Sequence, residues 1–590
     1  MRRAILGLAA LIAVSAAAET HNVILFVPDG LRAAMVTDQQ APAMARLAKE
    51  GVRFANSHSL FPTFTTPNAS ALATGHYLGD TGDFSNTLYA GFPVPAAHGS
   101  VTPFIENDQV LAELDQHFGG NFLDEESVLE LAADRGFNTA AVGKLGPTLI
   151  FSHTKRDGGS VIVLDDRTSR SDGVPLPSWL AEQMTLHDIT VATPSRGDNA
   201  LMGTKVANIQ QLAYFTKVVT ELVLPKFKAD GKPFFLVYWS RDPDGTQHNQ
   251  NDGNGALAPG INGPTSLAAI RNADDQLGKL RAALAALDLD KKTDIIVAAD
   301  HGFSTISKQS RTSGAARGHY DDVPAGQLPP GFIALDLAAA LKLPLFDPDA
   351  ENAEVTDGHH SRVGNGLLGP DPAHAQVVVA ANGGSDLIYL PAPTDSALAA
   401  RIVAALLRQD YVSGLFVDPA LGQFPGTLPL TAIALDGAAR TPRPAIVVNF
   451  ASFATGCPIA TNCQVEIADT PLQQGQGMHG SLGRGDSFNF IAAIGPDFKA
   501  GYEDRVPVSN ADVGQTIASL LGLTLPAKGK LSGRVMAEAL KGGAEPAFTA
   551  RTLRSPDAAD GTVTELRYQR VGDQLYFDAA GVKGRTVGLP

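Results

Sequence analysis

Apolar and polar positions follow two alternating periods along the chain. After an apolar leader, the run Asn22 to Val27 is short, unbroken and stopped by Pro28-Asp29-Gly30, the pattern of a buried strand ended by a turn. Ala41 to Gly51 then spaces its apolar residues as a helix does. Helical periods return at Glu125–Arg135, Lys205–Phe227 and Ser266–Leu287, with strand-like runs between them at Thr139–Val142, Pro233–Trp239 and Asp294–Ala299. Strands alternating with helices across short turns predict an α/β fold: a doubly wound, mainly parallel sheet with helices on both faces. In such sheets ligands collect beyond the carboxyl ends of the strands.

The rest of the chain departs from this alternation. Residues from about Ser304 to Asp371 are rich in Gly, Pro, His and Asp, with one short helical stretch near Leu335–Leu341, and read as an insertion that could cover a pocket. Gln376–Phe416 and Ala445–Phe450 resume the strand and helix pattern, and Phe488–Ile494 with Ala511–Leu521 returns to the core. Thr562–Ala579 alternates like a small β-hairpin around Val571-Gly572-Asp573. The expected organisation is a leader over 1–18, a first part of the catalytic core over 19–303, and an insertion or cap region with part of the core over 304–445. A second part of the core over 446–545 and a C-terminal β extension over 546–590 complete it.

Composition narrows the class. A 44% hydrophobic content is ordinary for a folded protein and excludes wholesale disorder. With 46 basic against 61 acidic residues, the net charge of −15 argues against a stable nucleic-acid complex, which needs a dense basic face. Arg2 and Arg3, the apolar stretch Ala4 to Val14 and the small residues Ala16-Ala17-Ala18 make a signal peptide, and the arginine pair also suits twin-arginine export. No later stretch is long and apolar enough for a membrane anchor. The expected location is therefore periplasmic or secreted. There the only two cysteines, Cys457 and Cys463, are expected to close a small disulfide loop.

The residues able to do chemistry stand just after apolar runs. Asp29 ends the first, Asp244 and His248 follow the run Pro233–Trp239, Asp300 and His301 end Asp294–Ala299, and His479 lies in Gly-Gln-Gly-Met-His-Gly. One aspartate after a strand is ordinarily a turn former or helix cap. Three carboxylates with three imidazoles, however, suit two Zn²⁺ ions, although another divalent ion is possible. In Phe61-Pro62-Thr63-Phe64-Thr65-Thr66-Pro67-Asn68, Pro67 marks a helix start and Gly75 its end, so Thr65 or Thr66 sits at a helix N-terminus. A threonine there is commonly a plain cap, but the partial positive charge also favours an alkoxide or a bound phosphate.

Taken together, Pro28-Asp29-Gly30-Leu31-Arg32, Pro62-Thr63-Phe64-Thr65-Thr66-Pro67-Asn68, Asp244-x-x-x-His248, Asp300-His301-Gly302 and His479-Gly480 resemble the alkaline phosphatase superfamily. The likeness is greatest to its nucleotide pyrophosphatase/phosphodiesterase (type I phosphodiesterase) branch, and the motifs run in the expected order over most of the mature chain. The resemblance implies an alkaline phosphatase-like fold, a small phosphorylated substrate and a covalent intermediate on Thr65. It implies one zinc held by Asp29, Thr65, Asp300 and His301, and a second by Asp244, His248 and His479. Asn86 matches the asparagine that donates to a phosphoryl oxygen, with the Thr66 amide expected to assist. The chain departs from the branch in carrying Thr66-Pro67-Asn68-Ala69 where Phe-Pro-Asn-His is common, and in lacking an evident aromatic clamp for a nucleotide base.

Lys144, after the predicted strand Thr139–Val142, has two readings. A lysine in this position is ordinarily solvated, whereas one facing the metals would neutralise a monoester dianion. The leading expectation is thus an exported, metal-dependent phosphodiesterase or nucleotide pyrophosphatase. Its alternatives are a two-zinc phosphomonoesterase that uses Lys144, and a secreted, non-catalytic binding protein. The last predicts missing ligands, and all six are present. A sulfatase is disfavoured because no Cys-x-Pro-x-Arg or Ser-x-Pro-x-Arg stands near position 65. His58, His117, His153 and His187 have no partner ligand in sequence, and nothing selects His319, His359 or His360. The pattern assigns no oligomeric state.

Overall fold

Eight strands make up the main sheet of the computed structural model, which describes residues 21–392 and 394–589. The expected signal peptide lies outside the described residues. In chain order the strands are β1 (Asn22–Pro28), β2 (Val52–Phe54), β3 (Asn138–Gly143), β4 (Ile162–Leu164), β5 (Phe234–Ser240), β6 (Thr293–Ala298), β7 (Ile491–Ile494) and β8 (Tyr502–Asp504). They lie side by side in the order β8-β2-β7-β6-β1-β5-β3-β4. β1 pairs in parallel with both β5 and β6, and β3 in parallel with β5 and β4. β7 is antiparallel to both its neighbours.

The central strand shows why this sequence takes this place. Every residue of β1, Asn-Val-Ile-Leu-Phe-Val-Pro, is buried, as expected of a parallel strand covered on both faces. Successive side chains point to opposite faces. Val23, Leu25 and Val27 enter one core with Ala69, Leu72 and Ala73 of helix α2 (Thr65–Thr74). Ile24 and Phe26 enter a second core with Met44 and Leu47 of α1 (Pro42–Glu50). Ile270, Leu277 and Leu280 of the long helix Pro264–Ala286 belong to the same second core. The helix expected over Lys205–Phe227 starts only at Ile209 and passes through a π turn at Val219–Val223. The turn precedes Pro225, which has no N–H for the helical ladder.

Gln376–Phe416 and Ala445–Phe450, expected to resume the main pattern, instead belong to a separate eight-stranded, largely antiparallel sheet. Its strands pack on the helices Phe332–Leu341 and Ser396–Leu406 in a core of their own. Short apolar strands look alike in sequence, and only the long-range pairing partner separates one sheet from another. A four-stranded sheet joins Ser304–Ser307 to Gly477–Met478 in antiparallel register, and to Gln464–Ile467 in parallel. The expected C-terminal hairpin forms at Glu565–Val571 and Gln574–Gly581, and Thr549–Arg554 adds a third strand. Cys457 and Cys463 are disulfide-bonded. Among the described residues no helix is long and apolar enough to cross a membrane.

Candidate active site

The ends of β1, β5 and β6 meet at one edge of the sheet because parallel neighbours end together. Asp29 follows β1 directly, and its backbone N–H donates to Ser240 O at the end of β5. Asp244 opens the short helix α3 (Asp244–Asn249), with its N–H on Asp29 O. One helical turn later His248 returns to the same side, Nε2 3.1 Å from Asp244 Oδ1. Asp300 and His301 follow β6, and Gly30 N–H donates to Asp300 Oδ1 at 2.9 Å. Gly30 takes a left-handed φ of +68°, which lets the chain turn tightly at this point.

His479 is distant in sequence and reaches the site through the small sheet. Met478 pairs with Ser304, three residues beyond His301. The His301 and His479 rings consequently stack with centroids 3.6 Å apart, and His479 Nε2 lies 3.4 Å from Asp244 Oδ1. Two triads result, Asp29–Asp300–His301 and Asp244–His248–His479, each with ligand atoms within 4.8 Å of one another.

The donor set fits metal ions. In each imidazole Nδ1 is hydrogen-bonded to a backbone carbonyl: His248 to Gly477 O, His301 to Gly302 O and His479 to Thr63 O, all at 2.8 Å. Such bonds fix the ring orientation and turn Nε2 toward the carboxylates, the usual arrangement around a ligating histidine. On the carboxylates Asp29 Oδ1, Asp244 Oδ1 and Asp300 Oδ2 are buried without a hydrogen-bond donor. Orphaned buried carboxylate oxygens are costly unless a cation meets them.

Charge in the cluster is correspondingly unbalanced. Burial, then the neighbouring Asp244 and Asp300, hold the Asp29 carboxyl well above the ordinary range against the pull of Lys144 and His301. Burial works against a charged His301, yet Asp300, Asp29 and Asp244 together push it up to about 9. Burial and the adjacent His301 push His479 down to about 3. Two stacked imidazoles do not both carry charge.

Thr65 is the first residue of α2 and is fully buried, its Oγ1 3.3 Å from His301 Nε2. Lys144 is buried beside it. Its Nζ donates to Asp29 Oδ2 at 2.9 Å, Asp244 Oδ2 at 3.2 Å and Thr65 Oγ1 at 3.4 Å, and lies 3.2 Å from Glu106 Oε1. The solvated reading of Lys144 is thereby set aside. Asn86 also lines the pocket, with one difference from expectation. Its Oδ1 accepts the Thr66 N–H at 2.8 Å, so that amide is already engaged, and Asn86 Nδ2 faces Glu106 Oε1 at 3.3 Å.

Several contributors carried no sequence signal. Trp239 Nε1 donates to Asp29 Oδ2 at 2.7 Å, and Asn510 Nδ2 binds Asp300 O at 2.6 Å. Glu106 sits in an irregular loop, and Arg196 and Arg241 stand in the wall near Asp244. In the insertion, His360 pairs with Asp322 at 3.1 Å. The cavity over Thr65 holds about 390 Å³, and Asn365, Asn382, Leu472 and the half-exposed Phe104 also line it. A larger groove of about 980 Å³ runs along α1 and the helix Pro264–Ala286, but it contains none of these groups, so chemistry and not size selects the smaller one.

The comparisons with known proteins agree with this geometry. The family model described as type I phosphodiesterase / nucleotide pyrophosphatase matches residues 23–338, more than half of the chain, and takes in every residue above from Asp29 to His301. No curated protein matches the chain. With this match and the residues gathered at the sheet edge, the chain belongs to the type I phosphodiesterase / nucleotide pyrophosphatase family of the alkaline phosphatase superfamily and is a hydrolase of phosphoric ester bonds.

Proposed function

We propose that the protein is an exported phosphodiesterase or nucleotide pyrophosphatase that holds two zinc ions and works through a phosphorylated Thr65. The observation that carries this reading is the convergence of two carboxylate–imidazole triads on one buried threonine hydroxyl. Asp29, Asp300 and His301 with Thr65 would hold one ion, and Asp244, His248 and His479 the other. Three imidazoles favour zinc over magnesium. Ions bound there would supply Lewis acidity, favouring the threonine alkoxide, a hydroxide nucleophile and the departing oxygen.

The chain's own groups account for the remaining steps. Thr65 Oγ bonds to phosphorus as the bond from phosphorus to the leaving oxygen breaks, and the hydroxyl proton ends on that oxygen, giving phospho-Thr65 and a free alcohol or phosphate. Water then attacks the same phosphorus, the bond to Oγ breaks, and one proton of that water passes to Thr65 Oγ. The N-terminus of α2 presents its partial positive charge to the phosphoryl group. Asn86 Nδ2 supports an equatorial oxygen, and the Lys144 ammonium offsets negative charge. The leader expected over residues 1–18, together with the disulfide, supports a periplasmic or secreted location.

The place of Lys144, 3.4 Å from Thr65 Oγ1, favours a second reading, a phosphomonoesterase whose dianionic substrate meets this lysine. Turnover of bis-p-nitrophenyl phosphate and p-nitrophenyl phosphate by the metal-loaded enzyme decides between them. Faster diester hydrolysis, with two zincs per chain by elemental analysis, is the expected result. Faster monoester hydrolysis replaces the first reading by the second.

A further inference from the structure

Thr66 stands where the branch commonly carries phenylalanine, and its hydroxyl has a partner that a phenyl ring could not use. Thr66 Oγ1 donates to Asp83 Oδ1 at 3.0 Å. The backbone N–H of the same residue donates to Asn86 Oδ1 at 2.8 Å. All three residues are buried. One residue in the first turn of α2 is thus bound twice, through side chain and backbone, to two positions of one short loop.

Other bonds hold the backbone of this loop, but they leave the Asn86 amide free to turn. Thr441 Oγ1 donates to Gly82 O at 2.7 Å, Ile105 N–H to Asn86 O at 2.8 Å, and Thr87 N–H to Asn382 Oδ1 at 2.7 Å. The side-chain amide carries an acceptor and a donor that can exchange places by rotation. The Thr66 N–H, one of the free amides of the first turn of α2, accepts only the oxygen as its partner. With Oδ1 held there, Nδ2 is the group left to face the pocket, where Glu106 Oε1 lies 3.3 Å away. The bond from Thr66 Oγ1 to Asp83 in turn fixes Thr66 against the loop that carries Asn86. Asp83 Oδ2 is buried with no partner, so this carboxyl is not placed for its own stability. Burial, against hydrogen bonds from Thr66 and Ser70, holds it well above the ordinary carboxylate range, and nearby Glu106 adds to the rise.

We propose that Thr66 and Asp83 are positioning residues, whose hydrogen bond sets the Asn86 amide to meet the phosphoryl group as Thr65 attacks. The assignment rests on the hydrolase reading above, in which Asn86 supports an equatorial oxygen, and adds two residues that act only through Asn86.

Turnover by the metal-loaded enzyme tests it, read on whichever of bis-p-nitrophenyl phosphate and p-nitrophenyl phosphate is hydrolysed faster. Thr66→Val keeps the shape and the backbone N–H but removes the hydroxyl, and Asp83→Leu removes the acceptor at similar size. Each is expected to lower kcat by roughly 10- to 30-fold, part of the loss that follows when an oxyanion donor is deleted outright. KM should stay within about 3-fold of wild type, because the interaction strengthens in the transition state. Thr66→Ser, which keeps the hydroxyl, and Asp83→Asn, which keeps a neutral acceptor, should recover most of the loss. In an Asn86→Ala background, adding Thr66→Val should cost less than about 2-fold more, since the group to be positioned is gone. A general loosening of the fold would lower the rate by the same factor in both backgrounds.

Thr66→Val with kcat within about 3-fold of wild type, or an equal loss in the two backgrounds, would overturn the positioning role. Should Asp83→Leu fail to fold, Thr66→Val and its cycle with Asn86→Ala decide alone, with Thr66→Ala as the smaller replacement. Asn86→Ala with wild-type turnover would overturn the role given to Asn86, and with it the reason for positioning that residue. A wild type inactive on both esters would overturn the hydrolase reading as a whole.

Discussion

Each candidate side chain has one environment that defines its task. Thr65 Oγ1 is the only hydroxyl of its segment placed against both His301 and Lys144, whereas Thr66 Oγ1 is turned away and bonded to Asp83. Thr65→Ala is accordingly expected to lower kcat by at least about 10³-fold, the usual loss on removing a nucleophile. Zinc content and circular dichroism should stay at wild-type values, and activity close to wild type would assign the nucleophile elsewhere. His479→Ala removes the only ligand of its triad that comes from beyond the family match, and elemental analysis should find one zinc where the wild type has two. Retention of both would break the ligand assignment. The residues Asp29, Asp244, His248, Asp300 and His301 were recognisable in sequence because they stand shortly after apolar strands, in motifs that resemble a known family. Glu106, Trp239 and Arg241 were not, because an isolated polar or aromatic residue gains meaning only from what stands opposite it.

At the scale of elements, the site is held by short segments tied to one another rather than by any one helix. Asn68, in the first turn of α2, is the clearest tie. Its Oδ1 accepts Leu60 N–H at 2.8 Å and Asn510 Nδ2 at 2.9 Å, and its Nδ2 donates to Phe64 O at 2.9 Å and Leu60 O at 3.2 Å. Asn510 in turn binds the backbone of Asp300, so this side chain links the nucleophile's helix to a metal-ligand turn. Asn68→Ala leaves several buried groups unpaired and is expected to cost about 2–4 kcal/mol in urea unfolding, with a fall in kcat as α2 loosens. A change within about 0.5 kcal/mol would mean that the tie is dispensable. The alternation of β1, β5 and β6 with helices was legible because buried parallel strands are continuous apolar runs. The second sheet was not, since its strands have the same appearance and differ only in their partners.

Over the whole molecule, buried charge makes stability depend on metal and on pH. Three orphaned carboxylate oxygens meet at the triads, so chelation should lower Tm by several degrees and added zinc should restore it. An unchanged Tm would count against bound metal in the folded protein. Away from the site, Lys308 is buried with its Nζ on Ala468 O and Thr470 O at 2.9 and 2.6 Å. Burial, only partly offset by Asp469 and Asp386, pulls it from 10.5 to about 8. Below pH 8 both folded and unfolded chains hold this proton, and the fold bears the full cost of the buried charge. Between about 8 and 10.5 the unfolded chain binds more protons, so stability rises with pH. Relative to Lys308→Met, the wild type should gain about 3 kcal/mol in unfolding free energy from pH 7 to pH 10.5. A pH-independent difference between the two proteins would rule out a depressed Lys308.

Local order is what the sequence determined alone: the strands β1, β3, β5, β6 and β7 with the helices between them, the turns after β1, β5 and β6, and the residue types that follow those turns. Those features depend on side chains a few positions apart, whose periodicity and turn chemistry are written along the chain. Tertiary structure alone decided which of them meet. His479 stacks on His301 because strands about 170 residues apart pair in the small sheet, and Lys144 reaches Thr65 because β3 lies beside β5. Such contacts are fixed by hydrogen-bond register and by burial summed over the whole fold, and no window of neighbouring residues contains either.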